Sequence, residues 1–197
     1  ANDNLKIQYS NDQGRFTFNN DTLTMHYKGG SKVNVQSGTR KFSIYQFHFH
    51  SPTEHTIDGV SHDVELHLVH KELDEHLNQR NDSALVIGIL FKIDDTKSDN
   101  KFFDQFLYND NLPKSKDDKN NDSTIENINP AAGLKIFDQD NTVVFWNYDG
   151  SLTTDKYQEI VNWLVCKRIH TITSKQFKRF KEIMPKPNNR PLQKCHG

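Results

Sequence analysis

The chain has 197 residues, enough for one domain with a sizeable core, and 25 Lys+Arg against 26 Asp+Glu give a formal net charge of −1. That balance excludes the basic excess that nucleic acid or an anionic membrane selects, and the apolar run over 84–91 is too short to span a bilayer. Only 34% of residues are hydrophobic, so the 13 phenylalanines must supply much of the core volume.

Residues 1–13 are polar and are expected to form a flexible arm. Residues 15–18, 22–27 and 32–36 read as short strands, separated by Asn19-Asn20-Asp21 and Gly29-Gly30 turns. The aromatic-rich run over 46–50 alternates, which predicts a strand with Gln46, His48 and His50 on one face and Phe47 and Phe49 on the other. Pro52, Asp58 and Gly59 supply turn chemistry. A second alternating run, 64–70, places Glu65, His67 and Val69 opposite Leu66, Leu68 and His70. The apolar stretch 84–93 suits a strand buried on both faces. Phe102, Phe103, Phe106 and Leu107 fall at helical spacing, predicting a short amphipathic helix over 100–109 whose aromatic stripe is core.

Residues 114–124 are charged and low in complexity, and are expected to form a mobile, solvated loop. They lack the interleaved aromatics that a single-stranded nucleic acid would stack on. Strands are predicted over 143–148 and 159–166, the latter with Val161, Trp163 and Val165 on one face. Thr173 and Gln176 form a capping-box pattern ahead of Phe177, Phe180, Ile183 and Met184, and Pro185 closes that helix. Cys166 and Cys195 allow one disulfide at most.

Of the ten histidines, His48, His50, His55, His62, His67, His70 and His76 crowd between positions 48 and 76, which points to metal binding. If the two alternating strands pair, His48, His50 and His67 converge. Three neutral nitrogens with a fourth position open is the arrangement of a catalytic zinc site. Gln46 and Glu65 each precede a ligand by two residues on its own face, where acceptors that set an imidazole tautomer belong. His26, His55, His62, His70, His76, His170 and His196 read as structural. A competing pattern exists: His48, His50 and Glu54 also satisfy the first motif of a cupin barrel, with Glu54 then binding iron or manganese. The second cupin motif, a later Pro-x-Gly followed by histidine, is absent from the chain.

QFHFHSPTEH followed by ELHLVHK resembles the zinc-binding core of the α-class carbonic anhydrases. A distant second signature, Gly150-Ser151-Leu152-Thr153-Thr154, resembles that family too, as do Asn129-Pro-Ala-Ala-Gly-Leu134 and Asn188-Asn-Arg-Pro-Leu-Gln193. The likeness runs from about Leu23 to Gln193, without the family's opening aromatic cluster and QSPI motif, so the form looks shortened. It implies a single α+β domain over 1–197, predominantly β, with a central twisted, mostly antiparallel sheet and a few short peripheral helices.

The resemblance further implies a Zn2+ enzyme that reversibly hydrates CO2 to bicarbonate and a proton by zinc-bound hydroxide, is sensitive to sulfonamides and takes CO2 and bicarbonate as its small-molecule partners. In that scheme Thr153 accepts a hydrogen bond from the nucleophile and donates to Glu54, and Thr154 lies beside the product. Val69, Val86, Leu152, Val161 and Trp163 form an apolar wall for CO2. Ser31 aligns with the family's proton-shuttle histidine, which predicts buffer-dependent turnover, and Asp155 and Lys156 replace two usual prolines. Secreted or periplasmic placement is the commoner case in the family. The alternative on the same fold is a catalytically silent binding module, although such relatives usually lose a zinc ligand and none is lost here.

Overall fold

The computed structural model describes residues 5–28, 34–135, 144–154 and 156–193. Ser31, Asp155, Cys195 and His196, with the Gly29-Gly30 turn, lie outside them. The described elements are β1 (Leu5–Ile7), β2 (Asp12–Asn19), β3 (Thr22–Tyr27), β4 (Val35–Ser37), β5 (Arg40–His50), β6 (Val64–Leu73) and β7 (Gln79–Ile93). They continue as α1 (Lys101–Asp104), β8 (Ser123–Ile128), β9 (Phe145–Gly150), β10 (Val161–Cys166), β11 (His170–Ile172) and α2 (Ser174–Ile183).

The strands make one sheet in the order β8-β2-β3-β5-β6-β7-β10-β9, with β4 joining β1 to β5 and β11 beside β7. All pairings are antiparallel except β10 and β11 against β7. The mostly antiparallel sheet with short peripheral helices is therefore as the resemblance implies.

Alternation sets the two faces. Phe47 and Phe49 of β5 point into an aromatic core with Phe16, Phe102, Phe103, Phe106 and Phe180. Ring centroids there lie 5.3 Å apart for Phe47 and Phe102 and 5.5 Å for Phe49 and Phe103. The opposite face carries Gln46, His48 and His50, and in register His48 stands beside His67. A bulge between Ile44 and Gln46 puts Tyr45 out of step, so the alternation that follows delivers the histidines to the site face.

Three expectations change, and the sheet gains strands that local alternation does not announce. Residues 5–13 are no loose arm: β1 pairs with β4, Asp12 opens β2, and the Tyr9 hydroxyl donates to His70 Nε2 at 2.8 Å. Leu5, Ile7 and Tyr9 alternate and pack on the core, so that burial holds the segment.

The helix expected over 100–109 is only one turn long. Its N-cap is Asn100, after which i→i+3 bonds such as Phe106 to Phe103 tighten the chain, and Gln105 exchanges bonds with Asn129. Its aromatic residues are core all the same.

The charged loop ends early, because Ser123 and Thr124 belong to β8. The rest is tied by Asp118, which accepts from the Lys114 N–H, and by Asn121, which accepts from Phe18 N–H. Last, β11 extends the sheet from a segment too short to show alternation. The capping box of α2 forms as the sequence implies, with Thr173 and Gln176 bonded reciprocally. Among the described residues no helix is long and apolar enough to cross a membrane.

Candidate metal centre

Strands β5 and β6 bring one nitrogen from each of His48, His50 and His67 within 4.8 Å of one another, and all three rings are buried. The other nitrogen of each ring is spoken for. His48 Nδ1 donates to Gln46 Oε1 at 2.9 Å, His50 Nδ1 to the Asn188 carbonyl at 3.1 Å and His67 Nε2 to Glu65 Oε1 at 2.8 Å. These bonds fix three tautomers whose free lone pairs sit on His48 Nε2, His50 Nε2 and His67 Nδ1.

His48 Nε2 and His67 Nδ1 face each other at 3.3 Å, and His50 Nε2 is buried without a hydrogen-bond partner among the described residues. Three neutral nitrogens so placed could together hold a metal ion. Burial, then the neighbouring rings, pushes the His48 pKa well below the ordinary value, and burial with His67 lowers that of His50 to about 3. Both rings are thus neutral at physiological pH, which metal binding needs.

Glu65 is fully buried. Burial alone would raise its pKa, but His67 and His55 outweigh that and hold it well below the carboxylate range. Its Oε2 accepts from the N–H groups of Glu54 and His55, while Oε1 also accepts from His55 Nδ1. His55 Nε2 in turn meets the Tyr148 hydroxyl at 2.6 Å. Burial lowers the His55 pKa, yet Glu65 reverses this and the net shift is upward. His55, Glu65 and His67 also form a converging group, but there the carboxylate already accepts from both rings. It is a hydrogen-bond cluster that steers His67.

Gly88 on β7 lies opposite His67 and makes room for this carboxylate: a Cβ there would stand 3.2 Å from Glu65 Oε1.

Glu54 belongs to neither converging group, so the cupin assignment of Glu54 as a ligand fails, as does the barrel. Its Oε1 accepts from Arg190 N–H at 2.7 Å, and its Oε2 is buried without a hydrogen bond among the described residues. Burial raises its pKa, against the field of His67, the Arg190 N–H and the Thr153 hydroxyl. Thr153 is thus close enough to act on Glu54, though the bond between them is not closed.

The nitrogen cluster opens on a cavity of about 240 Å³. One side is apolar, formed by Val69, Val86, Leu152 and Trp163, and the other is polar, with Asn19, Asn20, Thr22 and Thr24. Thr153, Thr154, Gln46, His48 and His67 complete the lining. Val161 does not line it; it packs behind in a small cluster with Val69, Ala84, Val86 and Trp163. The hairpin turn bordering the cavity is the one between β2 and β3.

Sequence reasoning missed the part played by the C-terminal segment. The Asn188 side chain donates to Thr22 Oγ1 and to the Phe49 carbonyl and accepts from Ser51 N–H, while its backbone carbonyl orients His50. Arg190 holds Glu54 and lies 3.9 Å over the Tyr157 ring. His55 and Tyr148 were missed as well. The family-like run Asn188-Asn-Arg-Pro-Leu-Gln193 marked the segment but not its role, because no local spacing links it to positions 50 and 54.

The family model for eukaryotic-type carbonic anhydrase matches residues 1–196. Alpha carbonic anhydrase 4 of Arabidopsis thaliana is 34% identical over 159 residues, 79% of this chain and 52% of that protein. Carbonic anhydrase Nec1 of Nesocodon mauritianus is 30% identical over 168 residues, 83% of this chain and 56% of that one. The chain thus spans about half the length of these curated relatives. Among solved structures, the α-carbonic anhydrase of Thermovibrio ammonificans in complex with the inhibitor sulfanilamide is 26% identical. It superimposes with a TM-score of 0.72, covering 96% of this chain and 75% of that one.

Proposed function

Because this chain belongs to the eukaryotic-type carbonic anhydrase family, we propose that it reversibly hydrates CO2 to bicarbonate and a proton, with Zn2+ held by His48 Nε2, His50 Nε2 and His67 Nδ1. One observation carries the reading: three buried imidazoles converge on one point while an acceptor occupies the far nitrogen of each. Neutral nitrogen donors with an open face suit zinc in a catalytic setting. Zinc so bound supplies Lewis-acid activation of water, whose pKa falls to about 7 in carbonic anhydrase, the standard case.

The chain's own residues do the rest. Arg190 N–H pins one oxygen of Glu54 and leaves the other facing solvent-poor space near Thr153. An ionised Glu54 would accept a hydrogen bond from the Thr153 hydroxyl, so the threonine oxygen would receive one from the reacting water and aim the water's lone pair. Val69, Val86, Leu152 and Trp163 give uncharged CO2 a dry wall, with Val161 bracing it, and Thr154 flanks the leaving bicarbonate. Asn19, Asn20, Thr22 and Thr24 keep the other side wet.

Purified protein should bind stoichiometric zinc, hydrate CO2 and lose both activity and zinc to a chelator. A sulfonamide titration should inhibit it. His67→Ala should lose zinc, whereas Thr153→Ala should retain zinc and lose roughly a hundredfold in kcat. Zinc-loaded protein with no CO2 hydration would make it a silent binding module, and equal zinc loss in the two variants would contradict the roles given.

A further inference from the structure

Hydration of CO2 releases one proton per turnover, and in the proposed reaction that proton appears inside a buried site. Its carrier needs partial exposure, a ring nitrogen or oxygen free of structural duty, and a pKa that permits exchange near neutrality.

Among the described residues, the histidines outside the triad divide by their contacts. His55 has both nitrogens engaged, by Glu65 and Tyr148, and His70 has both engaged, by Leu85 and Tyr9. His170 is buried on β11, and His76 stands in solvent beside Glu75 in the β6–β7 turn. His62 lies in the connection before β6, on which no cavity residue sits.

His26 differs. It follows Thr22 and Thr24 along β3 at two-residue spacing, and both threonines line the cavity. In the β3–β5 pairing it stands opposite Gln46, another cavity residue and the acceptor of His48. A charge on His26 is felt at His48. The ring is half-buried, and its Nε2 lies 3.2 Å from Thr17 Oγ1. Its Nδ1 makes no hydrogen bond among the described residues.

We propose that His26 accepts the proton of the hydration step and delivers it to solvent. The proposal rests on the function assigned above. The balance is simple: the reacting water gives up one proton, cavity water passes it to the imidazole, and the imidazolium releases it to a buffer base. No electrons move.

The groups around His26 suit that exchange. From β2, Arg15 stands opposite, paired in turn with Asp122. From β5 come Gln46 and Tyr45, the latter ring edge-on at 6.1 Å, with the Lys71 ammonium 4.2 Å over it. Lys28 follows just beyond the strand. Burial and Arg15 lower the His26 pKa, with Asp122 opposing, so the ring is mostly neutral at physiological pH and ready to accept.

The test compares wild type with His26→Ala and with His26→Gln, which keeps a polar group toward Thr17 but does not titrate. In weak buffer both variants should lose roughly tenfold or more in kcat. Their kcat/KM for CO2 and zinc content should hold, and added imidazole should restore kcat. Independently, the His26 ring resonances should titrate below the ordinary imidazole value in metal-free protein and move lower when zinc is loaded, because a nearby cation opposes protonation.

Undiminished kcat in both variants at the lowest buffer overturns the assignment. So does full rate in His26→Gln with loss only in His26→Ala, which would mark a packing role, or a titration indifferent to zinc. A wild type that hydrates no CO2 would instead overturn the function itself and take this inference with it.

Discussion

Strands β5 and β6 present two kinds of order on their two faces. On the core face, Phe47 and Phe49 touch several rings at centroid distances from 5.3 Å to 6.3 Å, and no single contact is directional enough to be indispensable. On the site face the outer nitrogen of each ring has its own acceptor: Gln46 for His48, Asn188 for His50, Glu65 for His67. The first face is specified by volume and the second by geometry. Damage to the core should therefore appear as lost stability, and damage to the site as lost metal affinity.

The sharpest separation comes from Phe49→Ala, which deletes a fully buried ring. It should lower the unfolding free energy by about 3–5 kcal/mol, measured by urea denaturation, while protein that remains folded still binds zinc. A cost under about 1 kcal/mol would deny that this face works by packing.

Acid probes a buried imidazole on the core side. Burial lowers the His70 pKa to about 4, and it lowers His170 to about 4 as well. As pH falls below about 6.5 the unfolded chain takes up these protons first, so stability present at neutrality drains away until the folded pKa is passed. The loss should be on the order of 3 kcal/mol for each ring by pH 4, seen as a falling denaturation midpoint. A midpoint flat from pH 7 to pH 5 would mean that these rings charge within the fold.

Gln46→Ala tests the other face. Removing the acceptor of His48 should weaken zinc binding by about 10–100-fold with little change in the melting of the metal-free protein. Loss of stability without loss of affinity would invert the comparison. The smallest effect belongs to Gly88→Ala: the added methyl carbon would crowd Glu65 Oε1 by a few tenths of an ångström, so zinc affinity should drop only a few-fold. An unchanged affinity would show that the carboxylate has slack.

Much of this molecule is visible along the chain because period-2 alternation is a local property. The runs 46–50 and 64–70 show their faces directly, and with them His48, His50, His67 and the acceptors Gln46 and Glu65. The capping box of α2 is equally local. By contrast, the acceptor of His50 is a backbone carbonyl 138 residues away, and every residue type has one. The Tyr148–His55 contact joins positions 93 apart, and the placement of Leu5–Ile7 depends on β4, whose exposed edge offers the pairing. The α1 helix stops after one turn because Gln105 finds Asn129, which helical spacing does not announce.

By itself the sequence determined which residue types share a face, hence three histidines poised to meet and an aromatic core beneath them. Tertiary structure alone decided which nitrogen of each ring turns inward, that Glu54 takes the Arg190 N–H, and that His26 stands opposite Gln46. The physical reason is range. Side-chain alternation is set by neighbouring backbone dihedrals, whereas tautomers and cavities are set by atoms that only a folded sheet brings together.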